Sequence, residues 1–482
     1  MEANVRKMTA LYMFVSGIAI LLMMVLGLLM LLAQGKMIPL GQDTFYEMMT
    51  AHGTFMVGAA AFAASAVMWY FLRQYVRLSF PIFVTHFVLF LTGAVMTAIS
   101  IFVFRFAGAW TFLYPLPAMS AGMWGKTGAS LYLIGMLLIG VSFLLLYLDT
   151  SRAIIREYGS LGHGLGWPQI LGKVKGYGPP PTVVASTMVS IVNLVSLTVG
   201  ASVLVMSLIN LFQPSIEMDP LLAKNLIYAF GHIFANSVIY MGVIAVYEIL
   251  PKYTNRPWKS YKIFLIAWNM STLFTIIVYP HHLLMDFVMP KWMLIIGQVF
   301  SYLNGLPVLV VTAFGALMIV YRSGIEWDMA SSFIFLSMFG WVAGVIPAIA
   351  DATIVINHVM HNTKWVPGHF HMYMGVGAVS MLFGFMYYFI RGNERKIGYA
   401  DMVSFWVYTV FFLSLCGTFL LSGKVSAPRR WAVHFPEWVP YDRMGAVFAV
   451  VIIAAVTVFL YRFFVSVIIV QAKQNIEVGP RA

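Results

Sequence analysis

Hydrophobic residues in this chain are gathered into long runs that are separated by short polar stretches. An apolar run of about 18 residues or more is long enough to cross a bilayer as an α-helix. Twelve such runs predict an all-α fold, an integral membrane bundle of twelve transmembrane helices that forms one domain over residues 1–482. The predicted spans cover roughly 11–33, 50–72, 82–104, 129–148, 184–212, 225–249, 263–285, 293–321, 331–355, 365–390, 402–422 and 444–471.

The composition agrees with this class, because 61% of the residues are hydrophobic and only 10% are charged. A soluble protein would carry about 25% charged residues. Nineteen of the 29 Lys and Arg residues fall on the side that holds the N-terminus, which predicts that both termini are cytoplasmic. The net charge of +12 therefore reflects membrane topology, and we expect contact with membrane lipid and no nucleic-acid partner.

Six of the eleven histidines share one depth in this topology. A histidine inside a membrane span is costly and is a functional candidate by default. At 1.5 Å per residue, the six lie roughly 5–12 Å inside the outer boundary. Isolated packing histidines have no reason to share a level, so we interpret the set as metal ligands. They are His52 in span 2, His232 in span 6, His281 and His282 in span 7, and His369 and His371 in span 10.

The spacing of these histidines suggests how they divide among metals. His369 and His371 are about 200° apart on a helix and would face two different cofactors. His281 and His282 are about 100° apart, which suits two ligands of one metal with His232 as the third. A copper ion can take three imidazoles, a six-coordinate haem takes two, and a five-coordinate haem takes one. One copper ion, one six-coordinate haem and one five-coordinate haem would together take six histidines, which is the number in this set.

Three stretches carry a resemblance to a known family, "HNTKWVPGHFHMYMG" (361–375), "YPHHLLMD" (279–286) and "APRRW" (427–431). Over essentially its whole length the chain resembles the catalytic subunit of haem-copper oxidases, most closely the B-type branch. The resemblance implies a respiratory enzyme of a bacterial or archaeal cytoplasmic membrane. It also implies a low-spin haem on His52 and His371, a high-spin haem on His369, and a copper of the CuB type on His232, His281 and His282.

The resemblance extends to residues around the haem propionates. Arg429 and Arg430 match the family's arginine pair, and arginine forks readily onto carboxylates. A basic pair at the outer interface would be the plainer alternative. His361 matches a position near a propionate where B-type enzymes are thought to hold a proton. That branch usually has Asp four residues earlier, where this chain has Asn357, so proton loading there is in doubt.

Asn236 decides which gas we expect the enzyme to reduce. Oxygen-reducing members of the branch have a tyrosine in this register that is covalently joined to the copper-ligating histidine, here His232. That tyrosine supplies an electron and a proton for splitting O2, which asparagine cannot do. Coupling two NO molecules needs only two electrons. The sequence therefore favours a nitric oxide reductase over a B-type cytochrome oxidase that reduces O2 and translocates protons.

Other residues bear on the alternatives. The B-type proton pathway would retain Tyr247 and Thr312, whereas Val243 and Gly315 replace expected hydroxyls. Tyr240 and Tyr279 are the tyrosines that an oxygen reductase could use instead, although both suit ordinary packing. A relative with iron as its second metal usually adds glutamates near the site, and none is evident. A secondary transporter without redox cofactors is the distant alternative.

Electrons must reach the site from another protein. The chain has a single cysteine, Cys416, which cannot form a binuclear copper site or a C-x-x-C-H haem attachment by itself. We therefore expect a membrane-anchored subunit on the outer face that carries binuclear copper or cytochrome c. The outer segment "WAVHFPEWVPYDRM" (431–444) is a plausible docking surface.

Overall fold

The computed structural model describes residues 2–391 and 398–477, with side chains to residue 468. Within them lie twelve helices long and apolar enough to cross a membrane, which we label α1 to α12 and which confirm the predicted spans in order. Arg395, Lys396 and Arg481, counted in the charge asymmetry, lie outside the described residues. The bounds are Glu2–Gln34, Gln42–Leu72, Phe80–Phe102, Lys126–Tyr158, Pro181–Phe212, Pro220–Thr254, Lys262–Leu283, Lys291–Val320, Met329–Asp351, Trp365–Ile390, Tyr399–Lys424 and, for the last, Val439–Ile468, whose helix continues to Glu477.

Helix starts follow from capping residues. Ser79 accepts a hydrogen bond from the amide of Ile82 at the start of α3, and Asp219 does the same for Leu222 at the start of α6. Asp328 and Ser331 form a capping box that begins α9. Each cap satisfies backbone donors that the first helical turn leaves free, so the short polar stretches fix where the helices begin.

Helices α7 and α10, which carry candidate ligands, are not α-helical throughout, whereas the sequence predicts continuous α-helices. In α7 the α-helix ends at Ile277, and Tyr279–Leu283 continues as a 3₁₀ turn, so His281 and His282 do not lie on α-helical turns as predicted. In α10 an α-helical segment Trp365–His371 is followed by π-helix Met372–Val379. In α8 a π-helical segment also interrupts the α-helix, at Val310–Phe314. Such insertions are frequent at functional sites.

Burial separates the helices into an inner and an outer set. In α6 and α10, 89% of the apolar window is buried inside the protein, and in α2 78% is buried. In α1, α3 and α8 the value is 28%, as expected for helices that face lipid. The inner helices α2, α6 and α10 carry four of the six candidate ligands, so the site is built in the centre of the bundle.

The candidate ligands lie near one end of the bundle, which we call the distal end because it is opposite to the end that holds Glu2. This end comprises the connections that follow the odd-numbered helices, including residues 103–125, 352–364 and 425–438. Gln34 at the end of α1 accepts a hydrogen bond from Lys364 and donates one to the carbonyl of Trp431. Gln34 therefore links the connection 352–364 to the connection 425–438 at the distal end.

Candidate metal centre

All six predicted ligand histidines line one continuous cavity in the distal half of the bundle. His52 comes from α2, His232 from α6 and His281 from the 3₁₀ turn of α7. The cavity also reaches the connections of the distal end. Its lining includes His282, His361, His369, His371, Asn236, Arg429 and Arg430, which are the remaining candidates from the sequence apart from Tyr247 and Thr312.

His232, His281 and His282 converge. Their nearest ring nitrogens all lie within 4.8 Å of one another, a grouping that could hold a metal ion. His282 Nε2 lies 3.1 Å from His232 Nδ1 and 3.1 Å from His281 Nε2. Two nitrogens that are each bound about 2 Å from one ion are separated by about 3 Å, so the triad fits a single metal.

The other ring nitrogen of His281 is occupied by a residue that the sequence did not suggest. Nδ1 of His281 lies 2.5 Å from the hydroxyl of Ser301 on α8. Metal-binding histidines almost always use their second ring nitrogen in this way, because the contact fixes the tautomer and the ring orientation. Ser301 therefore leaves Nε2 of His281 free to face the other two histidines.

His52 and His371 face each other as a separate pair. Their ring centroids are 6.2 Å apart and their planes are inclined by 15°. Two imidazoles that each bind one iron through a nitrogen about 2 Å away would have centroids about 6 Å apart. The observed pair therefore fits the two axial ligands of a six-coordinate haem.

Backbone carbonyls hold both rings of this pair. Nδ1 of His52 lies 2.7 Å from the carbonyl of Met23, and Nδ1 of His371 lies 2.7 Å from the carbonyl of Pro367. With Nδ1–H donated to a carbonyl, Nε2 is left unprotonated and can bind metal. Gly27 makes room for the first ring, since a Cβ there would lie 3.0 Å from Cε1 of His52.

A positively charged region borders the cavity at the distal end. Burial and the adjacent Arg430 lower the pKa of Arg429 to about 10. Burial and the charge of Arg429 lower the pKa of His361 to about 2, so His361 is neutral at physiological pH. Two guanidinium groups beside a buried cavity fit an anionic ligand such as a pair of carboxylates.

The backbone at the arginine pair is unusual. Arg430 has a left-handed conformation with φ of 65°, and its guanidinium donates to the hydroxyl of Thr111. A left-handed conformation costs a non-glycine residue about 1 kcal/mol or more. This conformation lies in the turn that brings both consecutive arginines to the cavity.

Asn236 lies against His232, His281 and His282, which we call the copper-side triad, and follows His232 by one helical turn. Its amide nitrogen donates to the carbonyl of His232 at 2.8 Å and lies 3.2 Å from Nε2 of the same ring. The amide oxygen accepts a hydrogen bond of 2.8 Å from the hydroxyl of Tyr373. Tyr373 belongs to none of the motifs recognised in the sequence, although it lies four residues after His369 and therefore on the same helix face.

Asp351 is a second cavity residue that the sequence analysis missed. It ends α9 and lines the cavity, and among the described residues its Oδ1 has no hydrogen-bond partner. Asn357, expected near His361, donates through its side chain to the backbone carbonyl of Asp351. Asp351 thus brings a carboxyl group close to Asn357, the position at which B-type enzymes usually have Asp, but it does so from a different helix.

Tyr240 and Tyr279, the tyrosines that the sequence offers to an oxygen reductase, each have a polar neighbour, and Tyr240 also lines the cavity. The Tyr279 hydroxyl donates to Asn225 at 3.1 Å, and the Tyr240 hydroxyl lies 3.5 Å from Thr275. Tyr247 and Thr312, expected in a proton pathway, do come together, since their hydroxyl oxygens are 2.6 Å apart and both residues are buried. This pair lies nearer than the cavity to the proximal end of the bundle, which is the end that holds Glu2.

Comparison with known proteins agrees with this arrangement. A family model described as cytochrome c and quinol oxidase polypeptide I matches residues 7–457. The chain belongs to this family. That membership, which covers nearly the whole chain, removes the secondary-transporter alternative.

Individual relatives of this oxidase family are distant. Subunit 1 of cytochrome c oxidase from Synechocystis is 22% identical over 88% of this chain and 76% of its own length. The subunit 1 from Thermus thermophilus is 24% identical over 55% of this chain, and the match spans about half (51%) of that relative. A solved chain described as part of a heme-copper terminal oxidase dimer has a TM-score of 0.79 at 19% identity, covering 96% of this chain and 84% of the other. The fold is therefore that of oxidase polypeptide I.

Membership in the oxidase family implies two haems and copper, and the residues present fit these groups. The triad of His232, His281 and His282 offers three nitrogens to one ion. The parallel pair of His52 and His371 suits a bis-histidine haem. His369, the sixth candidate ligand, also lines the cavity.

Proposed function

We propose that this chain is the catalytic subunit of a haem–copper gas reductase that reduces nitric oxide to nitrous oxide on a B-type framework. The balanced reaction is 2 NO + 2 H⁺ + 2 e⁻ → N2O + H2O. The observation that carries the proposal is the contact of Asn236 with the His232 ring, at the position where oxygen reductases of that branch have a cross-linked tyrosine. An amide cannot supply the additional electron that cleavage of O2 requires.

The chain's residues would divide the task among three groups. His232, His281 and His282 would hold copper, His369 would hold the high-spin haem, and the pair of His52 and His371 would hold the low-spin haem. When bound, these metals would supply the two electrons and the coordination positions that the reaction needs. Arg429 and Arg430 would neutralise the haem propionates, for which their position beside the buried cavity is suited.

Protons would reach the site from the proximal end. The hydroxyls of Tyr247 and Thr312 are hydrogen-bonded and buried, which supports their place in a pathway. The neighbouring residue Glu248 is buried and accepts hydrogen bonds from Tyr75 and Thr182 near the end of α6.

Electrons would come from a membrane-anchored subunit at the distal end that carries binuclear copper or cytochrome c. The segment 431–444 lies at this end and exposes Trp431, Val433 and Phe435, each more than half exposed. Exposed apolar side chains of this kind are typical of a docking surface. The distal end would then face the outside, with both termini in the cytoplasm, as the charge asymmetry predicts.

Reduction of O2 is the second candidate, and two observations favour it. The relatives from Synechocystis and Thermus thermophilus are both named cytochrome c oxidase subunit 1. In addition, Tyr373 brings a phenol to Asn236, although from α10 rather than α6. Turnover of the reduced enzyme with NO and with O2 in separate experiments discriminates between the two. N2O release at one per two NO, with little oxygen consumption, supports the proposal; fast oxygen consumption with a His–Tyr cross-link seen by mass spectrometry overturns it.

A variant of Asn236 gives a sharper test. Asn236→Tyr restores a phenol in the register of oxygen reductases, and Asn236→Leu is the control that removes the amide without adding one. We expect Asn236→Tyr to raise the ratio of oxygen turnover to NO turnover, with both rates measured per bound copper, and we expect Asn236→Leu not to raise it. Equal behaviour of the two variants would show that residue 236 does not select the gas.

A further inference from the structure

Two helices each bring a pair of residues, one turn apart, to the same place. In α6 the pair is His232 and Asn236, and in α10 it is His369 and Tyr373. Residues four apart on a helix lie on the same face. The two faces meet in the hydrogen bond of 2.8 Å from the Tyr373 hydroxyl to the Asn236 amide oxygen. A candidate haem ligand and a candidate copper ligand are thus linked through two further side chains.

The orientation of the Asn236 amide follows from its two strong contacts. The amide nitrogen donates to the carbonyl of His232 at 2.8 Å, and the opposite orientation would place two oxygens there. The amide oxygen then accepts from Tyr373. The two contacts together hold the amide against the His232 ring, with its nitrogen 3.4 Å from Nδ1 and 3.2 Å from Nε2. If Nδ1 binds the metal, the proton is on Nε2, so the amide nitrogen restrains the ring by packing and not by a hydrogen bond to Nε2. The other ring nitrogen of His232, Nδ1, faces His282 and the candidate metal position.

Tyr373 is itself held in place. It lies in the π-helical segment of α10, immediately after the segment that ends at His371. Helix α9 approaches closely at Gly344, where a Cβ would lie 2.8 Å from the backbone nitrogen of Tyr373. Any larger residue at 344 would force the two helices apart. The phenol therefore extends to Asn236 from a backbone that packing keeps fixed.

We infer that Tyr373 is a positioning residue for the copper-side triad, and that it acts through Asn236 on the ring of His232. The inference rests on the proposed function, because it takes the triad as the copper site. Residues that orient a metal-binding histidine typically change metal affinity or activity by about 10- to 100-fold when they are replaced. Tyr373 and Asn236 would thus hold the His232 ring by non-covalent contacts. Oxygen reductases of the branch instead have a tyrosine that is covalently joined to the corresponding histidine.

The test is copper binding by the purified full-length chain, measured by retention of copper against a chelator. Tyr373→Phe removes only the hydroxyl, and we expect it to weaken copper retention by about 10-fold. The vibrational band of carbon monoxide, used as a probe on reduced copper, should shift in the same variant. The matched control is Tyr147→Phe, since Tyr147 is a fully buried tyrosine whose hydroxyl contacts the sulphur of Met241, away from the candidate ligands.

A double variant separates positioning through Asn236 from a general effect on packing. If Tyr373 acts through Asn236, Asn236→Ala combined with Tyr373→Phe should weaken copper retention no more than Asn236→Ala alone. Additive losses, or a Tyr373→Phe variant that behaves like Tyr147→Phe, would overturn the inference while leaving the proposed function intact. An unsubstituted protein that purifies without copper or haem would overturn both. An unchanged low-spin haem spectrum in Tyr373→Phe would show that the variant is folded.

Discussion

The hydroxyl of Tyr373 donates a hydrogen bond of 2.8 Å to the side-chain oxygen of Asn236. This contact joins α10, which carries candidate ligands of both haems, to α6, which carries one candidate ligand of copper. Asparagine at this position therefore does not simply leave a gap where a tyrosine would be. It connects a phenol from another helix to the same histidine.

The pair of His52 and His371 gives the first prediction. His371→Ala should abolish the low-spin haem spectrum, because a six-coordinate iron needs both axial histidines. The copper-side triad does not include this residue, so copper content should be unchanged. Optical spectra and metal analysis of the purified variant check this. Loss of copper together with the low-spin haem would contradict the assignment of separate sites.

Ser301 gives the second prediction. Ser301→Ala removes the partner of His281 Nδ1 and should weaken copper binding by about 10- to 100-fold, because the ring and its tautomer are no longer fixed. Ser414→Ala is a matched control, since that hydroxyl bonds only to the carbonyl of Val410 on an exposed face of α11. Competition with a chelator measures the difference. Equal copper retention in the two variants would remove Ser301 from the site.

The buried ion pair of the distal end gives the third prediction. Lys364 is 4% exposed and donates to Asp442, which also accepts from His434 at 2.6 Å. Lys364→Met leaves a buried carboxylate without its cation and should cost about 3–5 kcal/mol of stability. Lys173→Met, at an exposed residue, should cost little. Thermal unfolding in detergent measures both, and similar midpoints would show that the ion pair does not stabilise the fold.

The pair of Tyr247 and Thr312 gives the fourth prediction. Tyr247→Phe keeps the ring in its packing and removes the hydroxyl that Thr312 contacts. Turnover should fall by roughly 10²-fold, the lower end of what a positioned proton-transfer group contributes, and KM for the gas should not change. Tyr12→Phe is a control in another buried tyrosine, whose hydroxyl bonds to the carbonyl of Phe83. Unchanged turnover in Tyr247→Phe would show that protons use another route.

The sequence was sufficient for the twelve helices and for the group of six histidines, because long apolar runs and costly intramembrane side chains are local signals. It did not predict the 3₁₀ turn at Tyr279–Leu283, which depends on how α7 meets its neighbours. Ser301 and Asp351 were missed for a related reason, since neither lies in a motif and only tertiary packing brings them to the cavity. Tyr373 was accessible from its spacing of four residues after His369.

The three copper-side histidines lie on consecutive helices, α6 and α7, whereas His52 on α2 has its partner on α10. Because a chain is synthesised and inserted from its N-terminus, the copper triad can assemble as soon as one helical hairpin has left the ribosome. The pair of His52 and His371 can form only after eight further helices have followed α2. If the two groups bind copper and a haem as proposed, the copper site would be complete at an earlier stage of membrane insertion than the haem site. The haem could not receive both axial histidines until α10 has been inserted.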